Sequence, residues 1–258
     1  MLVRSSTARA MALCAVVTGA VVGFTSACSP DNTPSTAPAN TIVVRFLNFS
    51  PAAGAVDVYD STGGRKLFAS NIAYLGADST IISGGSHWWD FTKTGTTTTI
   101  GLPVGTATFL PQVSYDAFVS DSGGVELTQT LPNILPDTVS TDTKVRIVNV
   151  LPTPNFPFSG STGYDVYLTA PGADLTLSSP ATTALTFGLN SQANFGPTYL
   201  SETPGPTEVR VEPAGDTVAA DVIIDATTTL TASQPLSLFL VEDAVTPTAG
   251  NLVVVRDK

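Results

Sequence analysis

Apolar and polar residues alternate in short runs along most of this chain, with the period of two residues that β-strands show. The clearest runs are Thr41–Phe49 and residues 144–150, both rich in β-branched side chains. Residues 56–58 and 209–211 each place a charged residue between two valines, as a strand with one buried face does. Residues that favour turns separate these runs. The pattern predicts an all-β chain.

The same reasoning predicts further strands throughout the chain. Short strands at regular spacing between turns are typical of a sandwich or a barrel. The predicted strands are residues 56–59, 72–75, 80–82, 88–92, 97–102 and 117–119, then residues 165–168, 185–189, 208–212, 218–224, 236–241 and 251–255.

The chain contains two copies of one sequence unit. Residues 44–51, VRFLNFSP, match residues 145–152, VRIVNVLP, at a constant offset of 101 positions. Residues 56–59, VDVY, match residues 164–167, YDVY, with an insertion between the two matches in the second copy. An offset of about one hundred residues is the size of a β-sandwich domain. We therefore predict one domain at residues 41–141 and a second at residues 142–258.

The repeated stretch resembles the DUF4397 family, domains of unknown function found in exported bacterial proteins. The resemblance implies an extracytoplasmic β-sandwich and supplies no activity. With the strand pattern, it leads us to expect two tandem Ig-like antiparallel β-sandwiches. The second copy departs from the motif at Leu151, where the first has Ser, and at Tyr164, where the first has Val. The residues of the first copy that carry the resemblance are Val44, Arg45, Asn48, Ser50, Pro51, Val56, Asp57, Val58, Tyr59, Tyr74 and Leu75.

The N-terminal segment has the features of a secretory signal. Arg4 and Arg9 precede an uncharged, largely apolar run at residues 10–27, which ends in small residues before Cys28. This end resembles a bacterial lipobox, although Thr25 stands where Leu is usual. We expect residues 1–27 to be a signal peptide, Cys28 to be lipidated, and residues 28–40 to be a disordered spacer. The alternative is an ordinary signal peptide whose removal leaves Cys28 as a free thiol.

Charge narrows the classes of partner. The chain carries 21 acidic and 11 basic side chains. Removal of Arg4 and Arg9 with the signal leaves 9 basic and 21 acidic side chains, a net charge of about −12. Such a surface repels nucleic acids and anionic lipid headgroups. We therefore expect contact with the membrane through the lipid on Cys28 alone. The protein would face the periplasm or the cell surface, on the outer membrane in a Gram-negative cell.

The shared polar residues have a structural interpretation. We expect Arg45 and Arg146 to pair with carboxylates across strands, and Asn48 and Asn149 to cap backbone groups in turns. Asp57 and Asp165 are expected to accept hydrogen bonds from the loop that opens each copy. The alternative is a shared ligand site. The complete set of motif residues is Arg45, Asn48, Asp57, Tyr59, Arg146, Asn149, Asp165 and Tyr167.

The sequence offers little for catalysis. His87 is the only histidine, and no nucleophile elbow, phosphate loop or dinucleotide motif is present. One histidine and one lipidated cysteine cannot make a usual zinc site. Aspartates in loops, either Asp57 with Asp60 or residues 216, 221 and 225 together, leave a calcium ion as an alternative. We predict no catalytic residue, no metal and no cofactor.

Two adjacent tryptophans form the most distinctive segment. On a strand, His87, Trp89 and Phe91 would share one face, and Trp88 and Asp90 the other. Trp88 and Trp89 are the candidate ligand-binding residues, because exposed aromatic rings contact sugars or proteins. The alternative is that both rings pack internally.

These patterns predict a non-catalytic exported lipoprotein, a binding or structural module of the cell envelope whose partner is a protein or a glycan. Two alternatives stay open. One is an extracytoplasmic hydrolase that uses carboxylates, as glycosidases do. The other is a purely architectural envelope protein.

Overall fold

The computed structural model describes residues 40–101, 107–122, 125–134, 141–151, 163–187, 199–215, 222–245 and 249–257. Within these residues the chain is built of β-strands, with a single 3-10 turn at Leu175–Leu177 and no α-helix. The prediction of an all-β fold in two similar halves is confirmed. The predicted signal peptide, Cys28 and nearly all of the spacer lie outside the described residues.

The first half forms two four-stranded sheets and one two-stranded sheet. Their strand orders are β10-β9-β1-β4, β3-β2-β6-β7 and β5-β8. The strands are β1 Thr41–Phe49, β2 Val56–Asp60, β3 Lys66–Ile72, β4 Ala77–Ser83, β5 Gly85–His87, β6 Trp89–Lys93, β7 Thr99–Ile100, β8 Ala107–Phe109, β9 Ser114–Ser122 and β10 Val125–Asn133.

The second half repeats the two four-stranded sheets. Their strand orders are β14-β11-β17-β18 and β13-β12-β15-β16. The strands are β11 Thr143–Asn149, β12 Tyr164–Thr169, β13 Thr182–Leu185, β14 Leu200–Glu202, β15 Gly205–Pro213, β16 Ile224–Leu230, β17 Leu236–Glu242 and β18 Gly250–Arg256. The repeat found in the sequence is therefore a repeat of structure.

Each half has its own hydrophobic core between its two larger sheets. Along β1, the alternate residues Ile42, Val44 and Phe46 point into the first core. Val145 and Ile147 on β11 do the same in the second half. The period of two residues in the sequence thus sets which side chains each core receives.

A third core joins the halves. The opposite faces of the same strands carry Leu47 and Phe49 on β1 and Val148 on β11, and these side chains pack together. Phe239 on β17 lies between them, with its ring centroid 5.0 Å from that of Phe49. Because these side chains on the opposite faces of β1 and β11 are buried together, the halves pack against each other, and the described residues belong to one compact unit. The other buried members of this core are Phe118, Val150 and Val241.

A buried charge network flanks the third core and is reciprocal between the halves. Arg45 Nη1 donates to the carbonyl oxygen of Arg256 at 2.7 Å, and Arg146 Nη1 donates to that of Pro132 at 3.0 Å. Both arginines also donate to Asp116, whose side chain is inaccessible to solvent. Each half thus contributes one arginine that binds the last strand of the other.

Two strand pairs depart from the predicted antiparallel arrangement. β1 pairs with β9 in parallel, and β11 pairs with β17 in parallel, whereas the other pairs are antiparallel. A parallel neighbour requires a long crossover connection, and in each half the intervening chain builds the second sheet. The sequence pattern shows which residues form strands but does not show their direction, so the antiparallel prediction is wrong at these two pairs.

Several predicted strands differ from those observed. Residues 73–75 form a turn, in which Leu75 has φ +61° and its N–H donates to the Asn48 carbonyl. β3, β5, β8, β10 and β14 were not predicted, because β3 and β10 are polar edge strands and the other three are only three residues long. β16 overlaps the predicted strand at residues 218–224 only at Ile224. Residues 97–101 contain only the two-residue β7, and residue 102 lies outside the described residues. Residues 186–187 and 222–223 are not strand, and residues 188–189 and 218–221 lie outside the described residues.

The predicted boundary between the halves, at residues 141 and 142, falls between β10 and β11, and it stays a prediction. No helix in the described part of the chain is long and apolar enough to cross a membrane.

Candidate ligand-binding face

The shared aspartates hold the ends of neighbouring strands. Asp57 on β2 accepts hydrogen bonds from the N–H groups of Asn71 at 2.8 Å and Gly95 at 3.1 Å. Asp165 on β12 accepts them from Ala184 at 2.8 Å and Gly215 at 3.0 Å. All four donor residues have a positive φ. The prediction that the opening loop donates these bonds is wrong, because the flanking strands lie closer to each carboxylate.

The shared asparagines cap the turns that follow the first strand of each half. Asn48 Oδ1 accepts the N–H of Ser50 at 3.1 Å, and Asn149 Oδ1 accepts the N–H of Leu151 at 2.9 Å. Their amide groups donate to carbonyl oxygens, which include Leu185 O for Asn149. This geometry agrees with the capping role predicted from the sequence.

The shared arginines and tyrosines also have structural contacts. Arg45 pairs with Asp116 on the neighbouring strand β9, as predicted. Arg146 also pairs with a carboxylate, Asp116 in the other half, and it donates to Ser237 on the neighbouring strand β17. Tyr167 is buried. Its burial and, to a smaller extent, the nearby carboxylates raise its pKa. The motif residues are thus spread through the framework rather than gathered in one pocket. Tyr59, the remaining one, lies under the Arg65 guanidinium.

The tryptophan segment divides between two faces as the sequence predicted. His87, Trp89 and Phe91 are buried, whereas Trp88 is 38% exposed and Asp90 is partly exposed. The Trp89 ring is fully buried and stacks on His87, with ring planes 3° apart. A ligand can therefore reach Trp88 but not Trp89.

Hydrogen bonds fix the backbone beneath the exposed ring of Trp88. Its N–H donates to Thr62 Oγ1 at 2.8 Å, and its carbonyl accepts the N–H of Ser61 at 2.9 Å. Asp90 lies two residues further along, on the same face, and its Oδ2 accepts the Ser61 hydroxyl at 2.5 Å. The aromatic ring and the carboxylate therefore have defined positions before a ligand binds.

The Trp88 depression is an open hollow of about 380 Å³ on the outer face of the sheet β3-β2-β6-β7. Gly101 has φ +73°, and a Cβ atom there would lie 2.9 Å from the Glu126 carbonyl oxygen. Only glycine therefore fits at this edge of the hollow without a shift of the backbone. Sequence reasoning missed Ser61, Thr99 and Gly101, because only the fold brings them beside the tryptophan. The lining residues are Ser61, Trp88, Asp90, Thr99 and Gly101.

His87 lies on the buried face, where it serves the core. Its Nδ1 lies 2.9 Å from Asp60 Oδ2, and its Nε2 lies 2.9 Å from the Ser83 carbonyl oxygen. Burial raises the pKa of Asp60, but hydrogen bonds from Thr62 and the contact with His87 lower it to a net value below the ordinary one. With both ring nitrogens against acceptors, His87 has no nucleophile to activate among the described residues.

One pair of neighbouring carboxylates, Glu208 and Asp225, lies too close together for the carboxyl pair of a glycosidase. Their side chains are directly hydrogen-bonded. Burial and, to a smaller extent, the neighbouring Glu208 raise the pKa of Asp225. A glycosidase keeps its two carboxyl groups about 5–10 Å apart. No group of three or more candidate metal ligands occurs within the described ranges. Asp216 and Asp221, part of the calcium alternative, lie outside them.

Comparison with known proteins leaves the family open. No family model matches the chain, and no curated protein matches it significantly. Among solved structures, one similarity is to a family 26 carbohydrate-binding module from Eubacterium rectale in complex with maltoheptaose. The identity is 10%, the coverage is 84% of this chain and 97% of that chain, and the TM-score is 0.25. A TM-score this low supports no inference about function.

Proposed function

We propose that this protein is an exported lipoprotein, tethered to a membrane through Cys28, which binds a ligand without catalysis in the Trp88 depression. The observation that carries the binding role is Trp88 itself, a large aromatic ring that stays 38% exposed on a backbone fixed at both its N–H and its carbonyl. Exposed aromatic groups beside convergent polar groups are a usual feature of binding sites.

The surroundings of the depression favour binding over catalysis. A hydrolase needs a nucleophile or an activated water beside a general base. Asp90, the carboxylate of the depression, is bonded to Ser61 and lies on the opposite face from the His87–Asp60 pair. These groups can hold a ligand through hydrogen bonds, and they lack the pairing that transfers protons.

Tethering is supported by the sequence around Cys28. A thiol directly after a signal-like segment is the position at which bacterial lipoproteins receive their lipid, and the acidic remainder of the chain would not bind anionic membranes by charge. Mass spectrometry of the mature protein tests this. We expect an N-terminal Cys28 with a mass increase that corresponds to acyl chains, and a Cys28→Ala variant released from the membrane fraction. An unmodified N-terminus that precedes Cys28 would contradict tethering.

A binding screen tests the ligand role. The full chain would be presented to a panel of soluble glycans and to purified cell-envelope proteins, alongside Trp88→Ala and the control Ile81→Ala. Ile81 is 59% exposed on β4, in the other sheet of the same half. We expect Trp88→Ala alone to lose binding while both variants stay folded. Equal binding by both variants would rule out the Trp88 depression, and no binding to any probe would favour an architectural role.

A further inference from the structure

We infer that the ligand of the Trp88 depression is an uncharged carbohydrate, which stacks the C–H face of one sugar ring on Trp88 and presents its hydroxyl groups to Asp90 and Thr99. This inference rests on the proposed function and names the chemical class that the same depression takes. Three features of the site support it: its single ring, its hydrogen-bonding groups and its charge.

The single aromatic ring fits a sugar better than a protein. A stable protein interface buries about 1,200–2,000 Å² and relies on several apolar anchors. Trp88 is the only large apolar side chain among the residues described as lining the depression. Other exposed apolar side chains, such as Leu67 and Ile81, do not line it. One ring on a rigid backbone matches the apolar face of one pyranose.

The polar groups beside the ring suit neighbouring hydroxyls. Asp90 uses Oδ2 to accept from Ser61, and its Oδ1 has no hydrogen-bond partner in the described part of the chain. The Thr99 side chain is exposed at the edge of the hollow. A sugar hydroxyl can donate to the Asp90 carboxylate, and the adjacent hydroxyl can accept from Thr99. Hydrogen bonds to a carboxylate are stronger than those between neutral groups.

The charge of the hollow disfavours acidic ligands. Among the described lining residues, Asp90 alone is charged. Arg65 lies 4.2 Å from the centroid of the Tyr59 ring and donates to the Thr97 carbonyl oxygen at 3.3 Å, and it is not among the described lining residues. A uronate, sulfate or phosphate group would face the Asp90 carboxylate, with no cation among the described lining residues to balance it. The ligand is therefore a neutral sugar.

The test compares neutral and acidic polysaccharides on the full chain. The protein is kept in a detergent without a sugar headgroup and titrated with dextran, mannan and laminarin, then with alginate and hyaluronate. We expect binding to at least one neutral polymer and none to the acidic ones. Trp88→Ala should weaken that binding about tenfold or more, since an aromatic contact is lost, while Trp88→Tyr should keep most of it.

Matched variants separate the role of Asp90 from that of overall charge. Asp90→Asn should weaken binding to the neutral polymer, whereas Asp78→Asn, which removes the same charge from an exposed position on β4, should not. If Trp88→Ala does not fold, Thr99→Gln provides the check, because its longer side chain fills the hollow and should also reduce binding.

The outcomes distinguish this inference from the proposed function. Binding to an envelope protein or to an acidic polysaccharide that depends on Trp88 would overturn the neutral-sugar inference and leave the binding role intact. Equal binding by Asp90→Asn and the parent protein would overturn the hydrogen-bonding part of the inference. The absence of Trp88-dependent binding to any probe would overturn both.

Discussion

Individual buried polar residues hold the ends of strands in this protein through hydrogen bonds to backbone groups. The Asp57 carboxylate receives backbone N–H groups from Asn71 and Gly95, which lie on either side of β2. Burial raises the pKa of Asp57, but these bonds and one from Thr94 outweigh it, so the net shift is below the ordinary value. At pH values above the pKa of Asp57 in the unfolded chain, these bonds stabilise the folded protein. This stabilisation is lost as the pH falls through the lower pKa of the folded protein.

Replacement of Asp57 by Asn tests this role. The amide nitrogen of Asn would face a backbone N–H, so one acceptor is lost, and we expect a loss of about 1–3 kcal/mol of unfolding free energy. Urea denaturation at neutral pH measures it. Asp78→Asn, at an exposed position on β4, is the control and should change stability little. Equal effects of the two substitutions would show that the Asp57 bonds are not important.

At the scale of strands, the Trp88 face depends on the close approach of β7 to the backbone of β10. Gly101 follows β7 directly, and a Cβ atom at this position would lie 2.9 Å from the Glu126 carbonyl oxygen. No side chain fits there unless the backbone moves. Glycine at this position therefore allows the close packing of the chain after β7 against β10.

Gly101→Ala should destabilise the protein more than Gly172→Ala does. Both glycines have a similar positive φ, +73° and +75°, but nothing lies within 4 Å of a Cβ at Gly172. In the Gly172 variant the strained backbone conformation alone lowers the unfolding free energy, by about 1–2 kcal/mol. The Gly101 variant has a steric clash in addition. Thermal unfolding of the two variants measures the difference. A similar fall in Tm for both would show that the backbone near Glu126 relaxes readily.

For the whole molecule, the face between the halves is the decisive feature. Asp257 accepts hydrogen bonds from Arg45 of the first half at 3.1 Å, and from Ser237 at 2.7 Å and Tyr199 at 2.9 Å. Arg146 completes the network from the other direction, with Asp116 as its partner. Charges buried in this way are costly unless each keeps its partners, so the network favours a single alignment of the two halves.

Loss of one member of this network should be severe. Arg146→Met leaves Asn133, Ser237 and the carboxylates with fewer donors, and we expect a loss of about 3–5 kcal/mol. Arg65→Met, which removes a surface arginine, is the control. In denaturation experiments, a double variant with Asp257→Asn should lose less than the sum of the single losses, because the sites are coupled. Strict additivity would contradict a shared network.

The opposite end of the interface has unbalanced charge. Glu242 on β17 and Asp121 on β9 belong to different halves. Burial and, to a smaller extent, the negative charge of Asp121 raise the pKa of Glu242. The folded state therefore binds this proton more tightly than the unfolded chain does. At pH values above the raised pKa, the charged Glu242 side chain destabilises the folded protein. This destabilisation disappears as the pH falls through that pKa.

Glu242→Gln should therefore stabilise the protein at neutral pH. The gain should be below about 1 kcal/mol, because the group is partly exposed. Thermal denaturation at pH 7.5 and at about pH 4, near the ordinary pKa of a glutamate, should show the gain only at the higher pH. A gain of equal size at both pH values would show that the effect is not electrostatic.

The sequence by itself determined that this chain is all-β and repeated, because alternation and repetition are properties of local order along the chain. It also predicted which residues of the tryptophan segment share a face, but not which of the two faces is buried. Apolar residues at adjacent positions, Phe46 with Leu47 and Ile147 with Val148, were a signal that both faces of β1 and β11 are buried.

Tertiary structure alone decided the parallel strand pairs, the contact between the halves and the composition of the Trp88 depression. Each depends on residues far apart in the chain, such as Trp88 with Gly101 or Arg45 with Asp257, whose proximity no local pattern encodes. The alternation of side chains along a strand determines the face of the sheet on which each residue lies. Only the packing of the sheets determines which residues that face contacts.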